Sequence, residues 1–394
     1  VVLPASMESF VLAKEMPQML EQGQDLAGLE KLSGDPDLNS LQQLLLYGVR
    51  GIAAYAHHAA ILGQEDQSVY DFIYEALADL GSGVKAKIKK RINYRPIFDY
   101  IKEENISFIY IRSDHNANPF LIQFVKGLSM IGVKVVMEIP TYPYDREYST
   151  IKGKISLITD KLFRKCLAQQ LTAIVTFSNY DYIFGQRTIR ISNGIDFDSV
   201  RIKQHQDFKS GEIHLIGVAE IHYWHGFDRL VAGLADYYRS SQNDACKVYF
   251  HIVGEFSGER EKMEILPLIR KNQLEDYITL HGRLFGSELD EVFDKSDIGI
   301  GSLGRHRSNV TYIKTLKNRE YAARGIPFIY SEIDDDFEGM SYILKVPADE
   351  SPININEMID FYDRLTLNSE DIRNSVDHLS WKYQMKTVLD SIDI

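Results

Sequence analysis

Leu316-Lys-Asn-Arg-Glu-Tyr-Ala-Ala-Arg-Gly-Ile-Pro-Phe-Ile-Tyr330 is the stretch whose reading decides the fold. A helix over Thr315–Arg324 meets Gly325-Ile-Pro327, which ends it, and the chain passes directly into an apolar run, Phe328–Tyr330. Helix followed by short buried strand is one beat of a longer rhythm. Before it stand the strand-like runs Ile213–Ala219, Val248–Val253, Ile278–His281 and Ile298–Ser302. Helical segments Phe227–Ser240, Lys262–Asn272 and Ser287–Lys295 separate them. Near-continuous apolar strands alternating with helices imply a parallel sheet covered on both faces.

Further upstream the same rhythm recurs. Phe108–Arg112, Lys134–Ile139, Ala173–Phe177 and Thr188–Ile191 read as strands, with helices such as Phe120–Ile131 and Leu157–Gln170 between them. Two series meeting around Asn193-Gly-Ile-Asp196 predict an α/β chain of two Rossmann-like lobes, over 84–197 and 198–394. No strand is legible between residue 84 and Phe108, so the first lobe is expected to be shortened and to lack its opening strand. Ligands of such sheets bind beyond the carboxyl ends of the strands, which directs attention to the residues just after each one.

The remaining segment, 1–83, reads differently. Helical spacing over 38–62 (Leu41, Leu44, Leu45, Gly48, Ile52, Tyr55, Ala59) and over Ser68–Leu80, with a third segment Ser6–Gln22, suggests a small helical bundle. His57-His58 reads as a surface or packing pair rather than a metal site. The chain has 394 residues, is 44% hydrophobic and carries a formal net charge of −12. Residues 1–83 hold three basic and twelve acidic side chains, so nine of those charges lie in the front segment. A flexible Gly81-Ser-Gly83 junction and a basic run, Lys85–Arg91, mark its end. An acidic balance argues against a nucleic-acid partner. No apolar run approaches the ~20 residues of a membrane span, and no leader pattern is visible. Cys166 and Cys246 are too few for a disulfide framework or a cysteine-held metal or cluster, and a cytoplasmic setting is the default.

Five spaced motifs in the second lobe carry a family resemblance: Val218-Ala-Glu-Ile-His-Tyr-Trp-His-Gly-Phe-Asp-Arg-Leu230, His251-Ile-Val-Gly-Glu255, His281-Gly-Arg-Leu284, Asp297-Ile-Gly-Ile-Gly-Ser302 and Leu316–Ile329. Over about 94–394 the chain resembles the family 4 retaining glycosyltransferases of the GT-B fold, in a bacterial polysaccharide-assembly flavour. Tyr142-Pro-Tyr-Asp-Arg-Glu147 fits the same group. The resemblance implies transfer of a sugar from a nucleotide-diphosphate donor to a glycan or lipid-linked acceptor, with retention and without a cofactor. Peripheral membrane association is one partner class it leaves open. The diphosphate leaves, positive charge develops on the anomeric carbon, and the acceptor attacks from the same face; such a step needs electrostatic support for the leaving group.

By that resemblance Glu320 accepts the ribose hydroxyls, and Lys317, one helical turn earlier on the same face, meets the diphosphate. The family's arginine and lysine after the first strand of this lobe fall here at Glu220 and His225. Charge for the diphosphate is therefore sought in Arg305, Arg307, Lys314 and Lys317, with His225 beside them. Tyr312 stands where the family has a second glutamate. In the first lobe Glu138, Arg112 and His115 are candidates for sugar or acceptor contacts. Asp334-Asp-Asp336 reads as a solvated acidic loop rather than a divalent-metal site.

The front segment carries a second resemblance. Over about Asp35–Leu80, notably Leu-Gln-Gln-Leu-Leu-Leu-Tyr-Gly-Val-Arg-Gly-Ile-Ala-Ala-Tyr-Ala-His-His-Ala, it resembles a helical piece of the hybrid cluster protein (hydroxylamine reductase) family. With no cysteine before Cys166, an iron–sulfur redox function does not carry over. The alternative to a working transferase is a non-catalytic nucleotide-sugar binder or fusion scaffold.

Overall fold

The computed structural model describes residues 93–112, 117–145, 151–204, 211–240 and 246–393, together with the pairing of Val2 and Leu3. The expected front bundle, His57-His58, the Gly-Ser-Gly junction and His115 lie outside the described residues. The chain divides into two compact units, Val1–Ile191 with Thr387–Ile394, and Ser192–Lys386.

The first unit holds a six-stranded sheet in the order β1-β2-β3-β4-β6-β5. Its strands are β1 (Val2–Leu3), β2 (Phe108–Arg112), β3 (Lys134–Glu138), β4 (Ala173–Thr176), β5 (Tyr182–Ile183) and β6 (Gln186–Arg190). All neighbours are parallel except the β5–β6 hairpin. Helices α1 (Arg95–Glu103), α2 (Pro119–Met130) and α3 (Ile151–Ala168) lie between the strands in sequence. The start of α2 is written in its residues. Asn118 accepts hydrogen bonds from the amides of Phe120 and Leu121, both at 3.0 Å, and Pro119 takes the first position, where no amide is needed. Ile109, Val125, Leu128, Val135 and Ile174 form the core, each at most 1% exposed.

One strand escapes the sequence reading, which finds nothing before Phe108. Val2 and Leu3 pair with Tyr110 and Ile111 at the sheet edge. The hydroxylamine-reductase-like stretch therefore falls, in sequence, between two segments of one sheet. The last eight residues also group with this unit, where Lys134 Nζ donates to the carbonyls of Ile392 and Asp393.

The second unit is a six-stranded, all-parallel sheet in the order β12-β11-β10-β7-β8-β9. Its strands are β7 (Glu212–Val218), β8 (Lys247–Val253), β9 (Ile278–Gly282), β10 (Ile298–Ile300), β11 (Phe328–Tyr330) and β12 (Ile343–Lys345). The chain adds β8 and β9 on one side of β7, then returns to add β10, β11 and β12 on the other. This is the doubly wound order, whose reversal opens a crevice between its first and fourth strands, here β7 and β10. Helices α4 (Phe227–Ser240), α5 (Glu259–Lys271) and α8 (Ile355–Asp363) contribute to one apolar cluster. Helices α6 (Gly286–Asp294), α7 (Leu316–Ala323) and α9 (Ser369–Ser375) contribute to the other, and α10 (Trp381–Asp390) closes the chain.

Close packing sets α7 against the sheet. The Tyr321 ring lies over Gly299, where an added Cβ would come within 2.6 Å of the ring. Its hydroxyl donates to Ile300 O at 3.0 Å and accepts from Val218 N at 3.2 Å. One tyrosine thus ties the helix to the ends of both strands that flank the crevice.

Candidate functional site

Beyond β7 the chain makes a tight turn, Tyr223–His225, and Gly226 then adopts a left-handed conformation with φ 65°. That turn is bonded to the segment after β10: Leu303 N donates to His225 O at 2.9 Å and Gly304 N to Trp224 O at 3.2 Å. A Cβ on Gly226 would stand 2.8 Å from Gly304 N. Gly226→Ala should therefore cost about 1–3 kcal/mol through strain and overpacking. Urea unfolding followed by tryptophan fluorescence checks this; an unchanged midpoint would show that the two segments are not held as described.

Around this junction the side chains interlock. His222 stacks on Trp224 with centroids 4.1 Å apart, and the Arg305 guanidinium lies 5.5 Å from the Trp224 ring. His225 is buried and accepts from His222 N at 3.0 Å through Nδ1. Burial, reinforced by Lys317, Arg305 and His222, pushes its pKa well below the ordinary histidine value. His225 is thus neutral at physiological pH and brings no charge of its own.

Against the same crevice sits a set of buried polar atoms from three elements. Ser302 Oγ follows β10, Glu332 follows β11, and Thr315, Lys317 and Asn318 begin α7. Ser302 Oγ, Thr315 Oγ1, Lys317 Nζ, Asn318 Oδ1 and both Glu332 carboxylate oxygens are buried without a hydrogen bond to another residue. Each buried polar group left unbonded costs about 1–3 kcal/mol, so their concentration in one place points to a ligand site rather than to packing. The Thr315 side chain makes no capping bond, so the first amides of α7 are not taken by it.

Electrostatics couple the members. Burial lowers the Lys317 pKa, Arg305 lowers it further, and Glu332 opposes them. Burial raises the Glu332 pKa against the pull of its own backbone amide, Arg305 and Lys317.

Four of the sequence-predicted residues resolve clearly here. Lys317, Arg305 and His225 meet at this crevice. Glu320 lies one turn along α7, where its Oε1 accepts from Arg324 Nε and Nη2, both at 3.2 Å.

Lys314 stands outside this group. Its ammonium pairs with Asp336 at 3.1 Å in a separate network, because Asp336 folds back beside it from 22 residues downstream. Arg307 is likewise spent, on Asp228 through two 2.8 Å bonds, on Glu350, and on Tyr223 O. The acidic loop departs in part from its expected solvation. Asp334 is fully buried, and Asp334 and Asp336 both bind Arg319, while Asp335 accepts from Tyr312 at 2.7 Å. Asp335 is exposed as expected, but Asp334 and Asp336 are drawn in by the buried Arg319 between them.

In the first unit, Glu138 is 2% exposed, accepts from Tyr110 OH at 2.5 Å and lies 3.1 Å from Arg112 Nε. Arg112 and Glu138 are cross-strand partners at the carboxyl ends of β2 and β3. Histidines on three adjacent strands of the second unit serve one another. His214, His251 and His281 hydrogen-bond in a row across β7, β8 and β9, at 2.9 and 3.0 Å.

Sequence reasoning missed Glu332, Ser302 and Thr315. Glu332 had a signal, its place just beyond an apolar strand, but it opens a run of acids that reads as solvent-exposed.

No family model matches the chain. The N-terminal fifth is similar to hydroxylamine reductases. It is 42% identical over 95 residues to that of Solidesulfovibrio magneticus, covering 22% of this chain and 18% of the relative. It is 46% identical over 72 residues to that of Methanocella arvoryzae, covering 18% and 13%. The chain spans less than a fifth of the length of these curated relatives. Among solved structures, it is similar to sucrose-phosphate synthase from Thermosynechococcus elongatus, with TM-score 0.50 and 13% identity over 76% of each chain. That likeness is one of fold, and the fold is GT-B: a pair of Rossmann-type units, with a hydroxylamine-reductase-like piece in the same chain.

Proposed function

We propose that the chain is a glycosyltransferase whose second unit binds a nucleotide-diphosphate sugar at the crevice between β7 and β10. The reading extends to transfer with retention to a hydroxyl of a glycan or lipid-linked acceptor, in polysaccharide assembly on the cytoplasmic side. One observation carries it: unbonded buried polar groups gather where a doubly wound sheet reverses, at the start of a helix whose first amides suit an anion.

Each side chain then has a task. Lys317 and Arg305 meet the diphosphate and offset the charge it gains on leaving, so no cofactor need supply it. Neutral His225 contributes a hydrogen-bonding edge without competing for the anion. Glu320, oriented by Arg324, has lone pairs beyond those Arg324 uses and can accept the ribose hydroxyls. In the first unit, Glu138 and Arg112 offer polar groups for the acceptor.

Calorimetry of the full chain with uridine, adenosine and guanosine diphosphates and their sugar esters tests the reading. At least one nucleotide class should bind in the micromolar range, and Lys317→Met should weaken it about tenfold or more, ~1.4 kcal/mol. Binding by no nucleotide, or binding indifferent to Lys317→Met, defeats the donor-site assignment. Turnover with an acceptor, and the anomeric configuration of its product by NMR, then separate a retaining transferase from an inverting one and from a non-catalytic binder.

A further inference from the structure

The acids around the second unit's crevice divide sharply in how they are used. Asp334 is held by Arg319 and Asn318, Asp335 by Tyr312, and Asp336 by Arg319, Lys314 and Ser192. Glu338 accepts from Lys345 at 2.8 Å and Tyr330 at 3.3 Å. Glu332 differs from all of them. It is 2% exposed, and neither carboxylate oxygen accepts from another residue. Its position is fixed nonetheless, because its own carbonyl takes the Lys345 ammonium and Ser331 before it is bonded to Ser302 O.

The chemistry of an unbonded buried carboxylate narrows what can meet it. An ionised carboxylate only accepts hydrogen bonds, so its partner must bring donors. Lys317 lies in the same electrostatic group but makes no bond to it. A diphosphate bound by Lys317 cannot satisfy Glu332 either, since it too offers only acceptors, and two anions side by side repel. A group that bears hydroxyls and is attached to the diphosphate satisfies both conditions. It places donors on the carboxylate while the anion stays with the ammonium and the helix amides.

We infer that Glu332 accepts hydrogen bonds from hydroxyls of the transferred sugar and so sets the preference for a sugar ester over the bare nucleoside diphosphate. The inference rests on the donor-site reading above and adds to it the residue that recognises the sugar. Ribose carries the same diol chemistry but belongs to both ligands, so the comparison between them separates the two sources.

The test measures dissociation constants of the full chain for paired probes: uridine diphosphate and UDP-glucose, adenosine diphosphate and ADP-glucose, guanosine diphosphate and GDP-mannose. Glu332→Gln keeps the shape and replaces one acceptor with a donor, and Glu332→Asp keeps the charge but withdraws it by a methylene. For the pair that binds, Glu332→Gln should reduce the sugar ester's affinity relative to the bare diphosphate by about tenfold. Binding of the bare diphosphate should be unchanged or tighter, which also demonstrates a folded site. Glu332→Asp should fall between. Equal change for both members of the pair would assign Glu332 to the ribose or to the fold and overturn the inference. An unchanged ratio in both variants overturns it too. If the parent binds none of the six probes, the donor-site reading fails first and this inference falls with it.

Discussion

Arg319→Met should lower the stability of the second unit by about 3–5 kcal/mol, among the largest effects of any single substitution there. Arg319 is 1% exposed, yet every donor of its guanidinium is used. Nε reaches Ser192 Oγ at 3.0 Å. Nη1 reaches Thr315 O at 3.1 Å and Asp334 Oδ2 at 2.5 Å. Nη2 reaches Asp334 Oδ1 at 2.9 Å and also Asp336. Truncation leaves the fully buried Asp334 with only Asn318, at 3.3 Å, to answer its charge. The cost is that of an uncompensated buried anion, well beyond the lost contact itself. Arg319→Lys should also be costly, since a single ammonium cannot reproduce a planar fork engaging two carboxylates, a hydroxyl and a carbonyl. Adding Asp334→Leu to Arg319→Met should recover part of the loss, because the pair is then removed together. Trp224 and Trp381 both lie in the second unit, so urea unfolding followed by fluorescence reads it directly. A change below about 1 kcal/mol for Arg319→Met would contradict the described network.

Arg319 also explains what was legible in the sequence and what was not. The alternation of helix and strand from Ile213 to Tyr330 could be read because each strand is a short apolar run with punctuation at both ends. That is a local property. Lys317 could be singled out because its spacing from Glu320 is also local. The fate of the five-residue run Glu332–Asp336 could not. Four acids in a row of five suggest water. Which are buried depends on an arginine that folds back from α7, and that is a tertiary fact. The pairing of Lys314 with Asp336 is hidden for the same reason, being fixed by the path of the loop after β11. At the other end of the chain, two residues of β1 carry no period, so a strand made of Val2 and Leu3 leaves no trace in the pattern. The site was thus legible as a region, and its division into ligand-facing and structural charges was not.

Nucleotide-sugar binding should take up protons at slightly alkaline pH, and its affinity should fall as pH rises from 7 to 8.5. The cause lies in Lys317 and Glu332. Burial lowers the first pKa and raises the second, bringing both toward neutrality, and the surrounding Arg305, His225, His222 and Asp334 set the local field. A diphosphate placed beside Lys317 favours the charged ammonium and raises its pKa, while sugar hydroxyls donating to Glu332 favour the ionised carboxylate. Above neutrality Glu332 has little proton left to lose, so Lys317 sets the sign: the complex binds more protons than the free protein. By linkage the affinity must then decline with pH. A sugar ester is the right probe, because its diphosphate has no ionisation near neutrality to confuse the count. Calorimetry at pH 7.5 in buffers of different ionisation enthalpy gives the number directly, with uptake approaching one proton expected for the parent. Lys317→Arg keeps the charge permanently, so it should retain much of the binding while the proton uptake is lost. Binding that is flat with pH and exchanges no protons would mean that the anion does not sit beside Lys317, and the donor position would have to be sought elsewhere on the sheet.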